Sequence, residues 1–291
     1  MVGNQYWRLP IATPAFVAIA RTLVPEYPFS SSESAAAWMI WSRVLSVAVA
    51  PVIRMYQCRE CWTSGGVAAP VRGIIQSAVR SIEQVFPNRL CGVLRTENSE
   101  AGFQACLAAV EGGVHTIEIT KTVPSCFELI RGLIATTGGR FPVGVGTVWD
   151  PGAVREAKDA GASFVVTPVV LPEVADACRQ EDILCVLGAL TPTEIYQARL
   201  AGAALVKVFP IGPVGGPAYV RALNGPMGGV PFWVSGGVPI DDIGEYLRLG
   251  VRAVGLTTSL FPPEALAHRD FELIRNNAHR AAEAAAAAIG D

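Results

Sequence analysis

From residue 89 onward the chain alternates between short apolar runs and longer amphipathic stretches. The runs are rich in Val, Ile and Leu and are apolar on both faces. This pattern is typical of strands in a parallel sheet that is covered on both sides. Eight such runs occur, and they are Leu90–Arg95, Thr116–Ile119, Pro142–Gly146, Ser163–Thr167, Ile183–Gly188, Ala204–Phe209, Pro231–Ser235 and Ala253–Thr257.

A segment with helical periodicity follows each run. Ser99–Glu111 is one example, and Pro151–Ala160 is another, with Asp150 as its cap. Glycines stand at 112–113, 161, 202 and 250, where a left-handed helix cap before the next strand is favoured. Eight βα units in about 200 residues predict a (β/α)8 TIM barrel. An open doubly wound sheet is the alternative, but no GxGxxG sequence follows the first run.

The first 80 residues have a different character. They contain seven arginines, no lysine and three glutamates. Arg-rich, acid-poor leaders are typical of organellar transit peptides. We therefore predict a poorly ordered N-terminal extension over residues 1–75, a candidate transit peptide for the chloroplast, followed by the barrel over residues 76–291. The alternatives are an unstructured extension of a cytoplasmic protein and an incorrectly assigned start of the gene.

Composition and charge exclude several classes of protein. Hydrophobic residues make up 51% of the chain and charged residues 16%, which argues against a disordered protein. With a sequence pI near 6.0, the chain lacks the overall positive charge that would attract the phosphates of a nucleic acid. The run Ala35–Ile53 is long enough to span a bilayer, but Arg43 and Pro51 lie within it and weigh against a membrane span. Cys58 and Cys61 form a lone CxxC pair, which falls short of the four ligands of a structural zinc site.

Polar residues or glycines stand at the ends of the apolar runs. In a (β/α)8 barrel, active-site residues come from the C-terminal ends of the strands. We therefore interpret these positions as the rim of a pocket. They are Arg95, Glu118, Thr147, Thr167, Gly188, Lys207, Ser235 with Gly236 and Gly237, and Thr257 with Thr258 and Ser259.

Lys207 is the strongest candidate for covalent chemistry. It lies inside an apolar strand, where burial disfavours the ammonium form. A neutral amine beside a carbonyl substrate forms a Schiff base. The chain has three lysines; Lys158 lies on a predicted helix, and Lys121 after the second strand is the competitor. The structural alternative is a lysine that reaches bulk water from the other end of the barrel.

Glu118 lies in a second apolar strand, within the segment Thr116–Thr120. Partial desolvation suits a carboxylate for proton transfer near neutral pH. A Schiff-base aldolase needs such a group to dehydrate the carbinolamine and to remove the proton of the hydroxyl that becomes an aldehyde. The alternative is a buried structural ion pair with Arg95, Lys121 or Lys207.

Two loops are candidates for binding phosphate. Ser235-Gly236-Gly237 follows the seventh strand, and Thr257-Thr258-Ser259 follows the eighth. These are the loops that commonly bind phosphate in this fold. Glycines let backbone N–H groups approach an anion closely. The alternative is a pair of tight turns without a ligand.

Five segments, taken in order and spacing, resemble the 2-keto-3-deoxy-6-phosphogluconate (KDPG) and 4-hydroxy-2-oxoglutarate aldolase family. The resemblance covers about residues 89–280. The segments are Glu118–Thr120, Gly144–Val148, Val166–Pro168, Val206–Pro210 and Ser235–Val238. Two more segments, Thr191–Ile195 and Ile243–Tyr246, are similar to segments of the plant-type members.

The resemblance implies a class I lyase that cleaves a 2-keto-3-deoxy acid without a metal or another cofactor. Pyruvate is one product, and glyceraldehyde 3-phosphate or glyoxylate is the other. Lys207 would form the Schiff base and Glu118 would be the general acid and base. Family members are typically homotrimers. The implied substrate contacts are Thr147 and Thr167 at the carboxylate and keto end, Phe209 beside the lysine, and Ser235, Gly236, Gly237 and Ser259 at the phosphate.

The sequence departs from the family at two places. Relatives often have an arginine four positions after the glutamate, whereas this chain has Lys121 at the third position and Thr122 at the fourth. Lysine lacks the bidentate fork of arginine. We expect Arg95 to supply the missing guanidinium, with Lys121 as a second substrate contact. The eighth strand also ends in Thr-Thr-Ser, where many relatives have a glycine-rich turn.

Two other functions stay open from the residues alone. A phosphate-binding barrel isomerase or synthase would need Glu118 and the glycine loop, but no imine. A catalytically degenerate barrel would bind a keto acid or a phosphorylated sugar acid without turnover. Detection of a trapped imine would distinguish an aldolase from the isomerase or synthase. Detection of turnover would distinguish an aldolase from the binding protein.

Overall fold

The computed structural model describes residues 82–290. The extension predicted over residues 1–75, its apolar run and its CxxC pair therefore lie outside the described residues, and the boundary at residue 76 stays a prediction. Within residues 82–290, no helix combines the length and the hydropathy that a membrane crossing requires.

Eight parallel strands form a closed barrel in chain order, and β8 pairs with β1. The (β/α)8 fold predicted from the sequence is confirmed. The strands are β1 (Leu90–Leu94), β2 (Ile117–Thr120), β3 (Val143–Gly146), β4 (Phe164–Val166), β5 (Leu184–Ala189), β6 (Leu205–Val208), β7 (Phe232–Ser235) and β8 (Ala253–Leu256).

Helices follow the strands around the outside of the barrel. They are α1 (Ser99–Glu111), α2 (Cys126–Thr137), α3 (Gly152–Asp159), α4 (Pro172–Gln180), α5 (Pro192–Leu200), α6 (Pro217–Met227), α7 (Ile243–Arg248), α8 (Pro263–His268) and α9 (Phe271–Ile289). Short 3-10 turns, Gly212–Val214 and Ile240–Asp242, precede α6 and α7. Two helices follow β8, whereas the alternation in the sequence predicts one helix for each strand.

Side chains of each strand alternate between two hydrophobic cores. On β7, Trp233 points into the barrel, while Phe232 and Val234 pack against the outer helices. On β6, Val206 and Val208 face the helices in the same way, and Leu205 faces the interior. Because both faces of every strand are buried, the strands are apolar on both faces, as the sequence pattern indicates.

Aromatic side chains fill the N-terminal end of the barrel. Phe86 follows a helical turn over residues 82–85 and lies 5.1 Å from Phe164 and 5.2 Å from Trp233, between ring centroids. Glycines on the neighbouring strands make room for these rings. A methyl group at Gly144 would lie 2.5 Å from the Phe164 ring, and one at Gly255 would overlap the Trp233 indole nitrogen. Aromatic side chains therefore fill the N-terminal half of the barrel, and the polar groups lie at its C-terminal end.

Local signals in the sequence explain how the helices begin and end. Asp150 accepts a hydrogen bond from the Ala153 N–H at 3.0 Å at the start of α3, as predicted. Thr191 and Glu194 form a reciprocal capping box at the start of α5. Gly161 and Gly202 have φ values of 85° and 93°, in the left-handed region that favours glycine.

We expect Phe86→Ala to lower the free energy of unfolding by about 3–5 kcal/mol, because it removes a fully buried ring from a packed aromatic cluster. Urea denaturation measures this change. Leu200→Ala is the control, because Leu200 is 69% exposed and its loss should cost less than about 0.5 kcal/mol. Equal and small losses in both variants would show that residues 82–86 do not close the barrel.

Candidate active site

A buried lysine and a buried glutamate face each other at the C-terminal end of the barrel. Lys207 Nζ, from β6, lies 3.5 Å from Glu118 Oε2, from β2. The two residues are 7% and 1% exposed. Both point inward because their strand neighbours on either side pack against the outer helices. The structure thus brings together the two residues that the sequence predicts to be catalytic.

The carboxyl group of Glu118 lies in an environment that raises its pKa. Burial raises the pKa of Glu118, and the positive charges of Lys207 and Arg95 oppose this rise only in part. Apart from the contact with Lys207, neither carboxyl oxygen has a hydrogen-bond partner among the described residues. A methyl group at Gly146 would overlap this carboxyl group, so glycine at that position leaves the space that Glu118 occupies.

Two aromatic rings flank the amine of Lys207. Its Nζ lies 5.5 Å from the Phe209 ring centroid and 5.4 Å from the Trp233 ring centroid. Phe209 is 38% exposed and packs over Gly236, whereas Trp233 is fully buried. Phe209 is a predicted site residue. Trp233 is not, although it lies two residues before Ser235 on β7 and therefore shares its inward face.

The two cations that the sequence predicts to contact substrate have different partners in the structure. Arg95 Nη2 donates to Thr147 Oγ1 at 3.4 Å, and its charge acts on Glu118. Lys121 Nζ forms an ion pair with Asp150 at 3.1 Å instead. Arg95, Thr147 and Glu118 therefore lie together, while the side chain of Lys121 is bound by the loop after β3.

Thr167, at the end of β4, is fully buried and its hydroxyl is engaged. It donates to the Val169 carbonyl and accepts from the Gly188 N–H at 3.3 Å. These bonds fix the loop after β4 against β5. A side chain at Gly188 would strike the Pro168 backbone, which explains why β5 needs glycine at that point. The predicted contact of Thr167 with substrate stays a prediction.

The glycine loop after β7 has the backbone of an anion site. Gly236 and Gly237 have φ values of 84° and 79°. Their N–H groups donate to no acceptor within residues 82–290, while the Gly236 carbonyl accepts from the Gly212 N–H at 2.9 Å. Successive free N–H groups in such a turn form a concavity that favours anions.

Two serine hydroxyls lie near the ends of β7 and β8. Ser235 Oγ and Ser259 Oγ are both buried, and neither has a hydrogen-bond partner in the described part of the chain. The Ser235 side chain faces Gly255 inside the barrel. Ser259 lies in the turn that the Leu260 and Phe261 N–H groups close on the Thr257 carbonyl.

A family model for KDPG and KHG aldolases matches residues 82–276. The chain belongs to the KDPG and KHG aldolase family. The resemblance seen in the sequence is thereby confirmed, and its plant-type detail stays a prediction. A 2-dehydro-3-deoxy-phosphogluconate aldolase from Pseudomonas aeruginosa is 34% identical over 163 residues, which are 56% of this chain and 73% of that protein.

Solved structures resemble the chain as well. A KDPG aldolase from Legionella pneumophila, with pyruvate captured as a covalent carbinolamine intermediate, has a TM-score of 0.62 and 25% identity. The match covers 69% of this chain and 96% of that one. A cube-shaped cage designed by fusing symmetric oligomeric domains has a TM-score of 0.63 at 25% identity, and the match covers 69% of this chain and 73% of the cage chain.

We expect the Glu118 carboxyl group to titrate above the ordinary glutamate value of 4.5, because burial outweighs the nearby positive charges. Lys207→Met should raise this pKa further, since it removes the main stabilising charge. Carboxyl-carbon NMR of labelled glutamates measures both values. A group with a raised pKa in the folded protein stabilises the fold at low pH and loses that contribution as the pH rises through its pKa.

Glu194 is the internal control for this titration. Backbone hydrogen bonds from Thr191 and Leu190 lower the pKa of Glu194, and this site does not involve Lys207. Its pKa should be the same in the wild type and in Lys207→Met. A Glu118 pKa at or below 4.5 in the wild type would contradict the dominant effect of burial on this carboxyl group.

Proposed function

We propose that this chain is a class I aldolase that cleaves a KDPG-like 2-keto-3-deoxy acid to pyruvate and an aldehyde, either glyceraldehyde 3-phosphate or glyoxylate. The buried Lys207–Glu118 pair, with 3.5 Å between its charged atoms, carries the proposal. An amine and a carboxyl group at this distance, in a desolvated pocket, are the two groups that Schiff-base cleavage needs. Membership of the family supports the same reaction.

The first half of the reaction joins the amine to the substrate. Proton transfer from the Lys207 ammonium to Glu118 neutralises both groups and frees the nitrogen lone pair. The nitrogen attacks the C2 ketone, and the oxygen of that ketone becomes the hydroxyl of a carbinolamine. Glu118 then donates a proton to this hydroxyl, which leaves as water, and an iminium cation forms on Lys207.

The second half breaks the carbon–carbon bond. The Glu118 carboxylate removes the proton of the C4 hydroxyl, the C3–C4 electron pair moves toward the iminium nitrogen, and the aldehyde departs. Glu118 returns the proton to C3 of the enamine. Addition of water to the resulting iminium releases pyruvate and restores the Lys207 ammonium beside the Glu118 carboxylate.

The ends of the substrate have candidate partners on opposite loops. We propose that the amides of Gly236 and Gly237, with the Ser259 hydroxyl, hold the distal phosphate. Their free N–H groups and the buried hydroxyl support this assignment. We propose that Arg95 and Thr147 bind the carboxylate end, since they lie at 3.4 Å from each other, on the Glu118 side of the mouth.

Two further properties extend this proposal beyond the active site. We propose that the protein is a homotrimer, which is supported by the likeness to the designed cage built from symmetric oligomeric domains. Sedimentation velocity of the full chain tests this state.

We also propose that residues 1–75 direct the protein to a chloroplast, which is supported by their arginine-rich, acid-poor composition. Imaging of the full chain in plant cells tests the destination.

We expect Lys207→Met to abolish pyruvate release from KDPG, since no Schiff base can form. Glu118→Gln should lower kcat by about 10²–10⁴-fold, because proton transfer is lost. Lys158→Met is the matched control, because Lys158 bonds to the Asp182 carbonyl on the outer surface. Pyruvate release is followed by coupling to lactate dehydrogenase.

The wild-type rate should also fall on the acid side, at a pH above the range of an ordinary glutamate. The cause is the raised pKa of Glu118, which must lose its proton before it can accept one from the C4 hydroxyl. Substantial turnover by Lys207→Met would refute the Schiff-base mechanism and favour an isomerase or synthase reaction. Binding of KDPG by the wild type without turnover would favour a binding protein.

We expect Arg95→Ala to raise KM for KDPG by about 10–100-fold, because it removes a charge-assisted hydrogen bond to the substrate carboxylate. Lys121→Ala is the comparison, since Asp150 already engages this lysine, and its KM should stay within about threefold of wild type. Steady-state kinetics give both values. A larger effect at Lys121 would reverse the assignment of the substrate cation.

A further inference from the structure

The floor beneath the Lys207 amine is the face of an indole ring. Lys207 Nζ lies 5.4 Å from the centroid of the Trp233 ring, within the range of a cation–π contact. Tryptophan is the aromatic residue with the strongest attraction for a cation. Trp233 has no exposed surface, so bulk water does not compete for this contact.

The ring is fixed in place by the packing around it. Its centroid lies 5.2 Å from that of Phe86 and 6.0 Å from that of Phe164, and both neighbours meet it edge to face. Gly255 on β8 leaves room for the indole nitrogen, which has no hydrogen-bond partner among the described residues. Since no polar bond holds the indole, packing and its contact with Lys207 set its orientation.

A positive charge forms beside this ring each time the reaction passes through an iminium. The lysine nitrogen attacks the ketone, water leaves, and the resulting C=N bond carries one positive charge at the nitrogen. No bond to Trp233 forms or breaks at any step. Glu118 takes up and releases protons, so it does not neutralise the iminium throughout the cycle, whereas the quadrupole of the ring does not change.

We propose that Trp233 is a positioning residue that stabilises the iminium on Lys207 through its ring face. This inference rests on the proposed aldolase function. Phe209 also lies 5.5 Å from Nζ, but it is 38% exposed at the rim of the barrel. The buried ring is therefore the stronger of the two contacts.

The experiment measures how much pyruvate is needed to convert the full chain to the iminium. The protein is incubated with increasing pyruvate, reduced with borohydride, and the adduct is measured as intact mass. The variants are Trp233→Leu, which removes the ring, Trp233→Phe, which keeps a weaker ring, and Phe164→Leu. Phe164→Leu is the matched control, because it removes a buried interior ring that lies next to Trp233.

We expect Trp233→Leu to raise the half-saturating pyruvate concentration about 10-fold, with Trp233→Phe within about threefold of wild type. Phe164→Leu should stay within about twofold, since its ring has no contact with the amine that would be lost. Equal effects of Trp233→Leu and Phe164→Leu would overturn the inference. A wild type without any adduct would instead refute the aldolase proposal itself.

Fluorinated tryptophans placed at position 233 separate the ring's charge distribution from its shape. Each added fluorine weakens the negative potential of the ring face while changing the volume little. We expect the half-saturating concentration to rise stepwise with the number of fluorines, even if Trp233→Leu fails to fold. A concentration that does not change across the series would show that Trp233 acts by packing alone and would overturn the inference.

Discussion

The ion pair between Lys207 and Glu118 is the interaction on which the site depends. Removing two charges from water costs several kcal/mol for each ion, and the attraction between them repays this cost only in part. Closure of the eight strands buries both residues and places their charged atoms 3.5 Å apart, close enough for this attraction to act. The two solid hydrophobic cores, one inside the sheet and one outside it, offset the remaining cost.

Large aromatic side chains and the polar site occupy different halves of the barrel interior. Large rings fill the N-terminal half, and glycines on adjacent strands accept them. Toward the C-terminal end, Gly146 leaves space for the Glu118 carboxyl group, and Gly188 allows the loop after β4 to approach β5. The same packing that supports the fold therefore fixes the amine, its carboxyl partner and the ring below them. The loops above carry the groups that would bind the two charged ends of a substrate.

Much of this arrangement could be predicted from the sequence, because the regular repeat of βα units places strand ends at one end of a barrel. That rule identified Lys207, Glu118 and the loops after β7 and β8. The rule does not give contacts across the barrel, since these depend on the stagger of the strands. The ion pair of Lys121 with Asp150, and the position of the Trp233 ring under the amine, therefore emerged only from the structure.

Identification of the modified lysine decides whether Lys207 forms the Schiff base. The full chain is treated with pyruvate and borohydride, digested, and its peptides are sequenced by mass spectrometry. The sequence contains three lysines, so the assignment is simple. The Schiff-base account predicts a pyruvate-derived adduct on Lys207 and unmodified Lys121 and Lys158. An adduct on Lys121, or none in folded protein, would contradict it.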